Sequence, residues 1–339
     1  MPSVILHTMF GEDVISALRA VLPVEKILGS WHGAFVLGCQ GPDIFYHSQR
    51  SRPVALEYGS LLHRRGFGVY AANLLKTTLS GAGIDANSAY SLGFMTHAAL
   101  DRACHPYIIY RGGNYHSFFE RILDVLMLEK LRGLAPASWD QEIALASVCE
   151  NPPPALKEII AASLGETFPE RAGKDRSLAR RIDNAFIDCA RFYNMSSPSK
   201  IAGAFCANSN EKRPVFTRRA LNYVYPENLP AEIDFLNLNR KPWRYPHISA
   251  GGEIPKDDNR SFPKIYSDAV ETAVDTIAPI FKQYLESGVF PPETAEIIGN
   301  QCLSIFDENG KPCAPNLTEP LPLEEFFNRQ ANLRGVYSA

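Results

Sequence analysis

The sequence has almost no net charge: the formal value is −3 over 339 residues. That balance argues against a basic groove following a nucleic-acid backbone and against an acidic tail. Paired cysteine motifs are also lacking. Cys39, Cys104, Cys149, Cys189, Cys206, Cys302 and Cys313 are odd in number, far apart and without a C-x-x-C pair, which excludes a disulfide framework and reads as free, buried thiols in a reducing compartment. No apolar run approaches the roughly 20 residues that span a bilayer. The start, Met1 to His7, has no basic segment or cleavage signal, and this predicts a cytoplasmic protein. Alternating runs of β-branched and aromatic residues are scarce, so a sheet is not expected. No repeat of 20 to 50 residues is present.

What the sequence does contain is helical spacing. Apolar residues recur at three- and four-residue intervals over Tyr70 to Leu79, Tyr90 to Cys104 and Tyr115 to Leu131, each a helix burying one face. Asn114 is the expected N-cap of the third and Gly133 its stop. Further helices are predicted at Trp139 to Cys149, Leu156 to Leu164, Ser177 to Tyr193, Ile265 to Leu285 and Pro292 to Ile298. The segment from Asn208 to Pro263, rich in Pro, Asn and charge, reads as long loops around short helices. The expectation is an all-α chain forming a single large domain over 1–339, with its chemistry in 1–133 and additional helices and loops in 134–339.

Seven of the eight histidines fall within the first 116 residues. Imidazole is the commonest metal-binding side chain, and carboxylates bring the charge that holds a divalent ion. His97 and Asp101 are four apart, as are His116 and Glu120, so each pair projects from one helix face. His105 follows Asp101 by one turn. Because Pro106 disfavours helix at the residue before it, His105 is expected where the chain leaves the helix. Asp124, on the stripe of His116 and Glu120, is expected to accept a ring N–H from a metal-binding histidine. Upstream, Asp43 closes a glycine-flanked turn and His63 stands just before a helix. His32, His47 and His247 have no partner at useful spacing and read as surface or supporting residues; Cys39, Cys104, Phe45, Tyr46, Tyr58 and Phe94 read as packing residues.

This order of residues resembles the zinc-dependent phospholipase C family, whose helical fold is shared with fungal single-strand nucleases and the catalytic part of glycosylphosphatidylinositol phospholipase D. The resemblance rests on Pro2 and His7, the Gly-Pro-Asp turn at Asp43, His63, His97-x-x-x-Asp101, His105-Pro106 and His116-x-x-x-Glu120, covering about residues 1–133. A looser likeness touches Asn239, Trp243, Pro246 and Ser261-Phe262. It implies that Asp43, His63, His97 and Asp101 hold one zinc and His105, His116 and Glu120 a second, with Asp101 reaching towards a third near His7. The chain departs from secreted relatives at its start, where those expose a processed terminal amine as a ligand. Glu120, rather than Asp, resembles the phospholipases more than the nucleases.

The implied activity is hydrolysis of a phosphodiester, a phospholipid headgroup or a related small molecule, with a metal-activated water. Asp43 is the candidate catalytic carboxylate, both ligating and orienting that water. Transient contact with a membrane surface is implied if the substrate is a lipid. The alternatives are a nuclease of the same fold, for which no basic aromatic track exists beyond Arg50, Arg52, Arg64, Arg65 and Arg111, and a noncatalytic binding protein stabilised by its ions. The adjacent His-Asp pair of HD-type phosphohydrolases is absent.

Overall fold

Asp85 starts the helix around which the others gather. Its carboxylate accepts the amides of Asn87 and Ser88, while the Ser88 hydroxyl accepts the Asp85 amide, a reciprocal cap that satisfies otherwise orphaned helix donors. The computed structural model describes residues 4–79, 85–199, 222, 224–249 and 257–333. In chain order the helices used below are α1 (Val4–Leu18), α2 (Glu25–Leu28), α3 (His32–Cys39), α4 (Leu56–Arg64), α5 (Phe67–Leu79), α6 (Ala86–Gly112), α7 (His116–Arg132), α8 (Gln141–Glu150), α9 (Leu156–Thr167), α10 (Leu178–Ser196), α11 (Phe262–Ser287), α12 (Thr294–Ile298) and α13 (Leu323–Leu333). The protein is all-α: among the described residues there is no strand, only the isolated bridges Trp243–Asp258 and Phe306–Pro312. No helix of the described residues is long and apolar enough to cross a membrane.

At 27 residues, α6 runs about 40 Å and touches α1, α3, α5, α7 and α11. The helix does not end at Pro106 as its sequence suggests. It continues to Gly112, burying Tyr107, Ile108 and Tyr110 beyond the proline. A proline removes one amide donor at a cost of about 3 kcal/mol, and burial of those side chains on neighbouring helices outweighs it. His105 is therefore inside the helix. His97, Asp101 and His105, spaced by four, share one face.

The crossing of α3 over α6 depends on the absence of two side chains. A Cβ on Gly38 would sit 2.1 Å from the Tyr90 carbonyl oxygen, and one on Gly93 would sit 2.2 Å from that of Phe35. This close approach carries the Cys39 carbonyl to the ring of His97, where Nδ1 lies 3.2 Å from it. Beyond α3 the chain turns through a short 3-10 helix, Gly41–Phe45, that carries Asp43. Gly41 has φ +53°, and a Cβ there would meet the His97 ring at 2.3 Å, so the turn admits only glycine.

Other expectations need adjustment. His63 does stand just before a helix, α5, but it is itself helical, in the last turn of α4 one residue before its end. Asn114 is not the cap of α7; it lies in a 3-10 turn, Gly113–Tyr115, and Tyr115 takes the cap position. Gly133 does stop α7 in the left-handed conformation, its amide bonding the Glu129 carbonyl. His47 is not at the surface. It is buried and stacks on Phe192 with ring centroids 3.8 Å apart. Burial pushes its pKa down to about 3. His32 is exposed near Glu12, and His247 is half-buried. Cys206 and much of the expected loop from 208 to 263 lie outside the described residues.

Candidate metal centre

Four imidazoles, from α1, α4 and α6, converge on Asp101. Its Oδ1 lies 3.3 Å from His7 Nε2 of α1, and its Oδ2 lies 3.2 Å from His97 Nε2, 3.7 Å from His63 Nε2 and 3.6 Å from His105 Nδ1. Asp43 Oδ1 is 3.1 Å from His63 Nε2. The rings of His7 and His97 stack at 4.2 Å. Two sets of donor atoms are close enough to share an ion: His7, His97 and Asp101, and Asp43, His63 and His97. His97 belongs to both, so the observed grouping differs from the implied partition, in which His7 stands with a separate ion. His105 Nε2 and Glu120 Oε1 lie 3.5 Å apart. His116, half-buried at the start of α7, borders the same cavity but falls in neither set. Pro2 lies outside the described residues, so only His7 of the N-terminal pair is placed.

The orientation of the imidazoles is chemically telling. Nδ1 of His63, His97, His105 and His116 lies against a backbone carbonyl, those of Gly59 at 2.8 Å, Cys39 at 3.2 Å, Leu303 at 2.7 Å and Gly113 at 3.2 Å. A hydrogen on Nδ1 donating to a carbonyl leaves the lone pair on Nε2, the arrangement in which a histidine binds a metal. Nε2 of His63 and His97, Asp43 Oδ1, Asp101 Oδ2 and Glu120 Oε1 are buried and make no hydrogen bond. Buried lone-pair atoms facing one another are costly unless a cation lies between them. The donor set, imidazole and carboxylate, fits zinc.

Leu303 was not recognisable from the sequence as part of this centre. Its amide donates to the His63 carbonyl at 2.8 Å while its own carbonyl accepts His105 Nδ1, so one residue ties two candidate ligands together through its backbone. Asp124 was expected to accept a histidine N–H, and its contacts are different. Oδ1 accepts the Leu6 amide at 2.8 Å and Oδ2 the Arg121 guanidinium at 3.3 Å. It thereby fixes the first turn of α1, one residue from His7.

The charges are strongly coupled. Burial would raise the Asp43 and Asp101 carboxyls, but neighbouring positive charge, the imidazoles included, holds both below the usual carboxylate range. Glu120 is likewise lowered against its burial, with His105 contributing. Burial by itself would push His105 down; Asp101 and Glu120 instead carry it up to about 9. His116 is lowered by burial. In the metal-free protein His105 thus holds a proton at neutral pH that a metal must displace. Zinc affinity is expected to rise about tenfold per pH unit from pH 6.5 towards 9, measured by chelator competition; a flat profile would remove His105 from the ligands. Metal-free stability should move the other way. Because the folded pKa lies above the unfolded 6.5, the His105 contribution, on the order of 3 kcal/mol, is present below pH 6.5 and lost as pH rises through 9.

Fold and site together define a helical protein with a buried histidine and carboxylate centre compatible with metal binding. Residues 6–174 match the family model described as zinc dependent phospholipase C, and the chain belongs to that family. The matched segment includes every candidate ligand from His7 to Glu120. No curated protein and no solved structure matches the chain.

Proposed function

We propose that the chain is a zinc-dependent hydrolase of the phospholipase C type, cleaving a phospholipid headgroup or a related small phosphodiester. The observation that carries this reading is the set of buried, unbonded nitrogen and oxygen atoms of Asp43, His63, His97 and Asp101 beside a cavity of about 720 Å³ bordered by His63, His105 and His116. Two or three zinc ions would be held among His7, Asp43, His63, His97, Asp101, His105, His116 and Glu120. Zinc supplies Lewis acidity, which makes water nucleophilic near neutral pH and neutralises charge on phosphoryl oxygens. Asp43, kept ionised by its positive neighbours, orients the attacking water. The water oxygen forms the new P–O bond, the bond from phosphorus to the diacylglycerol oxygen (or to the corresponding alcohol oxygen of a smaller phosphodiester) breaks, and a water proton ends on the leaving oxygen, so that the headgroup stays on the phosphate.

In this reading the chain works in the cytoplasm as a single large domain, with transient membrane contact when the substrate is a lipid. Residues beyond 134 brace the helix that carries His97, Asp101 and His105: Arg102 donates to the carbonyls of Ile298 and Gly299, and Tyr107 to that of Phe235.

The test is elemental analysis joined to hydrolysis of bis(p-nitrophenyl) phosphate, short-chain phospholipids and single-stranded DNA. Zinc with turnover of the phosphodiester and phospholipid supports the proposal. DNA digestion alone would assign a nuclease, and zinc without turnover a structural metal. Asp43→Asn should lose more rate than zinc, by about 10²-fold or more in kcat, whereas His97→Ala should lose both; unchanged hydrolysis in His97→Ala would sink the assignment.

A further inference from the structure

The cavity beside the candidate metal centre has a wall of distinct chemistry. Arg64, the last residue of α4 and the neighbour of His63, lines it together with Tyr46, Ser60, Asn114 and Ser304. Among the described residues the Arg64 guanidinium makes no hydrogen bond or ion pair, in contrast to those of Arg102, Arg111 and Arg121, which are engaged with carbonyls or carboxylates. Its side chain is exposed at the cavity. No carboxylate lines this wall among the described residues, and its aromatic ring is that of Tyr46, which lies against His63 at a centroid distance of 4.8 Å.

These features discriminate between headgroups. A quaternary ammonium is held by an aromatic cage or a carboxylate, and a guanidinium on the wall would repel it. A guanidinium instead pairs with phosphate through two parallel N–H donors, and hydroxyl and amide side chains bond the hydroxyls of a polyol. We infer that Arg64 is a specificity-determining residue and that the substrate class is a phosphodiester whose headgroup is a negatively charged polyol. This rests on the hydrolase reading above and goes beyond it by selecting among headgroups. Arg64 reads the headgroup, which stays on the phosphate when diacylglycerol leaves, while the candidate ligands face the scissile phosphate.

The experiment compares kcat/KM of the zinc-loaded protein for dioctanoyl phosphatidylinositol 4-phosphate and dioctanoylphosphatidylcholine, with bis(p-nitrophenyl) phosphate as a substrate lacking either headgroup. The wild type is expected to favour the phosphorylated inositol by at least about tenfold. Arg64→Gln should reduce that ratio at least about tenfold, chiefly through KM, and Arg64→Lys should recover part of it. Zinc content and melting temperature, measured on each variant, separate a lost contact from a disturbed site. A wild type that hydrolyses the p-nitrophenyl ester but treats both lipids equally, or favours choline, overturns the inference and leaves the hydrolase reading standing. Equal losses on both lipids in Arg64→Gln overturn it as well. Hydrolysis of none of the three substrates removes the hydrolase reading, and the assignment of Arg64 falls with it.

Discussion

Asp101→Asn is expected to lose at least half of the bound zinc and to lower phosphodiester hydrolysis on the order of 10³-fold, since the positive charge of such a centre contributes several kcal/mol at the transition state. The change is nearly isosteric, so packing around α6 is kept. Its effect comes from charge and lone pairs: the carboxylate that four imidazoles approach, those of His7, His63, His97 and His105, becomes a neutral amide. One of its two ends then presents hydrogens to atoms that should face a cation. Elemental analysis and steady-state kinetics read both effects. Glu170→Gln, which removes an exposed ion pair with Lys174, serves as the control and should change neither. Full zinc content in Asp101→Asn would mean that the convergence of histidines on this residue is only a core polar network.

Arg121→Met is expected to destabilise the protein by about 3–5 kcal/mol, even though no solvent-facing contact is altered. Arg121 is fully buried. It donates to Asp124 and to the Tyr225 hydroxyl at 2.7 Å, and Tyr225 in turn donates to Glu142. Burial pushes the Glu142 carboxyl up to about 7 despite the opposing pull of Arg121. Without the guanidinium, Asp124 and Glu142 lose the buried cation that faces them both, and Glu142 takes up a proton at neutral pH. The urea midpoint should fall with little change in slope. Zinc content should fall too, because Asp124 fixes the Leu6 amide beside His7. A midpoint within experimental error of wild type would show that the buried charges relax without Arg121.

The parts of the centre set by helical periodicity were visible in the sequence. That His97 shares a helix face with Asp101, and His116 with Glu120, follows from 3.6 residues per turn. Helices α1 and α3 were not visible for a physical reason: α1 is buried at every position from Val4 to Gly11, and α3 at every position from Ala34 to Cys39. A helix enclosed on all sides has no polar face to betray its period. Pro106 misled because a local rule about one missing amide was weighed without the burial of Tyr107 and Tyr110 on the far side. His47 misled because a histidine without a partner at helical spacing can still be accommodated by stacking, here on Phe192. The carbonyl contacts divide by distance along the chain. Those of His63 with Gly59 and His116 with Gly113 are local, whereas those of His97 with Cys39 and His105 with Leu303 depend on tertiary packing that residue type does not encode.

The strap at Leu303 bears on how portable the centre is. Every candidate ligand lies upstream of residue 121, so the first half of the chain looks like a cassette that could be excised or grafted onto another scaffold. Yet the carbonyl that orients His105 comes from 198 residues downstream, and the same residue grips the main chain at His63. A fragment ending at residue 174 would carry the full ligand inventory with one imidazole free to rotate and the cavity open on one side. Design on this scaffold therefore has to transplant a discontinuous unit, the helices together with the distant segment that locks their side chains.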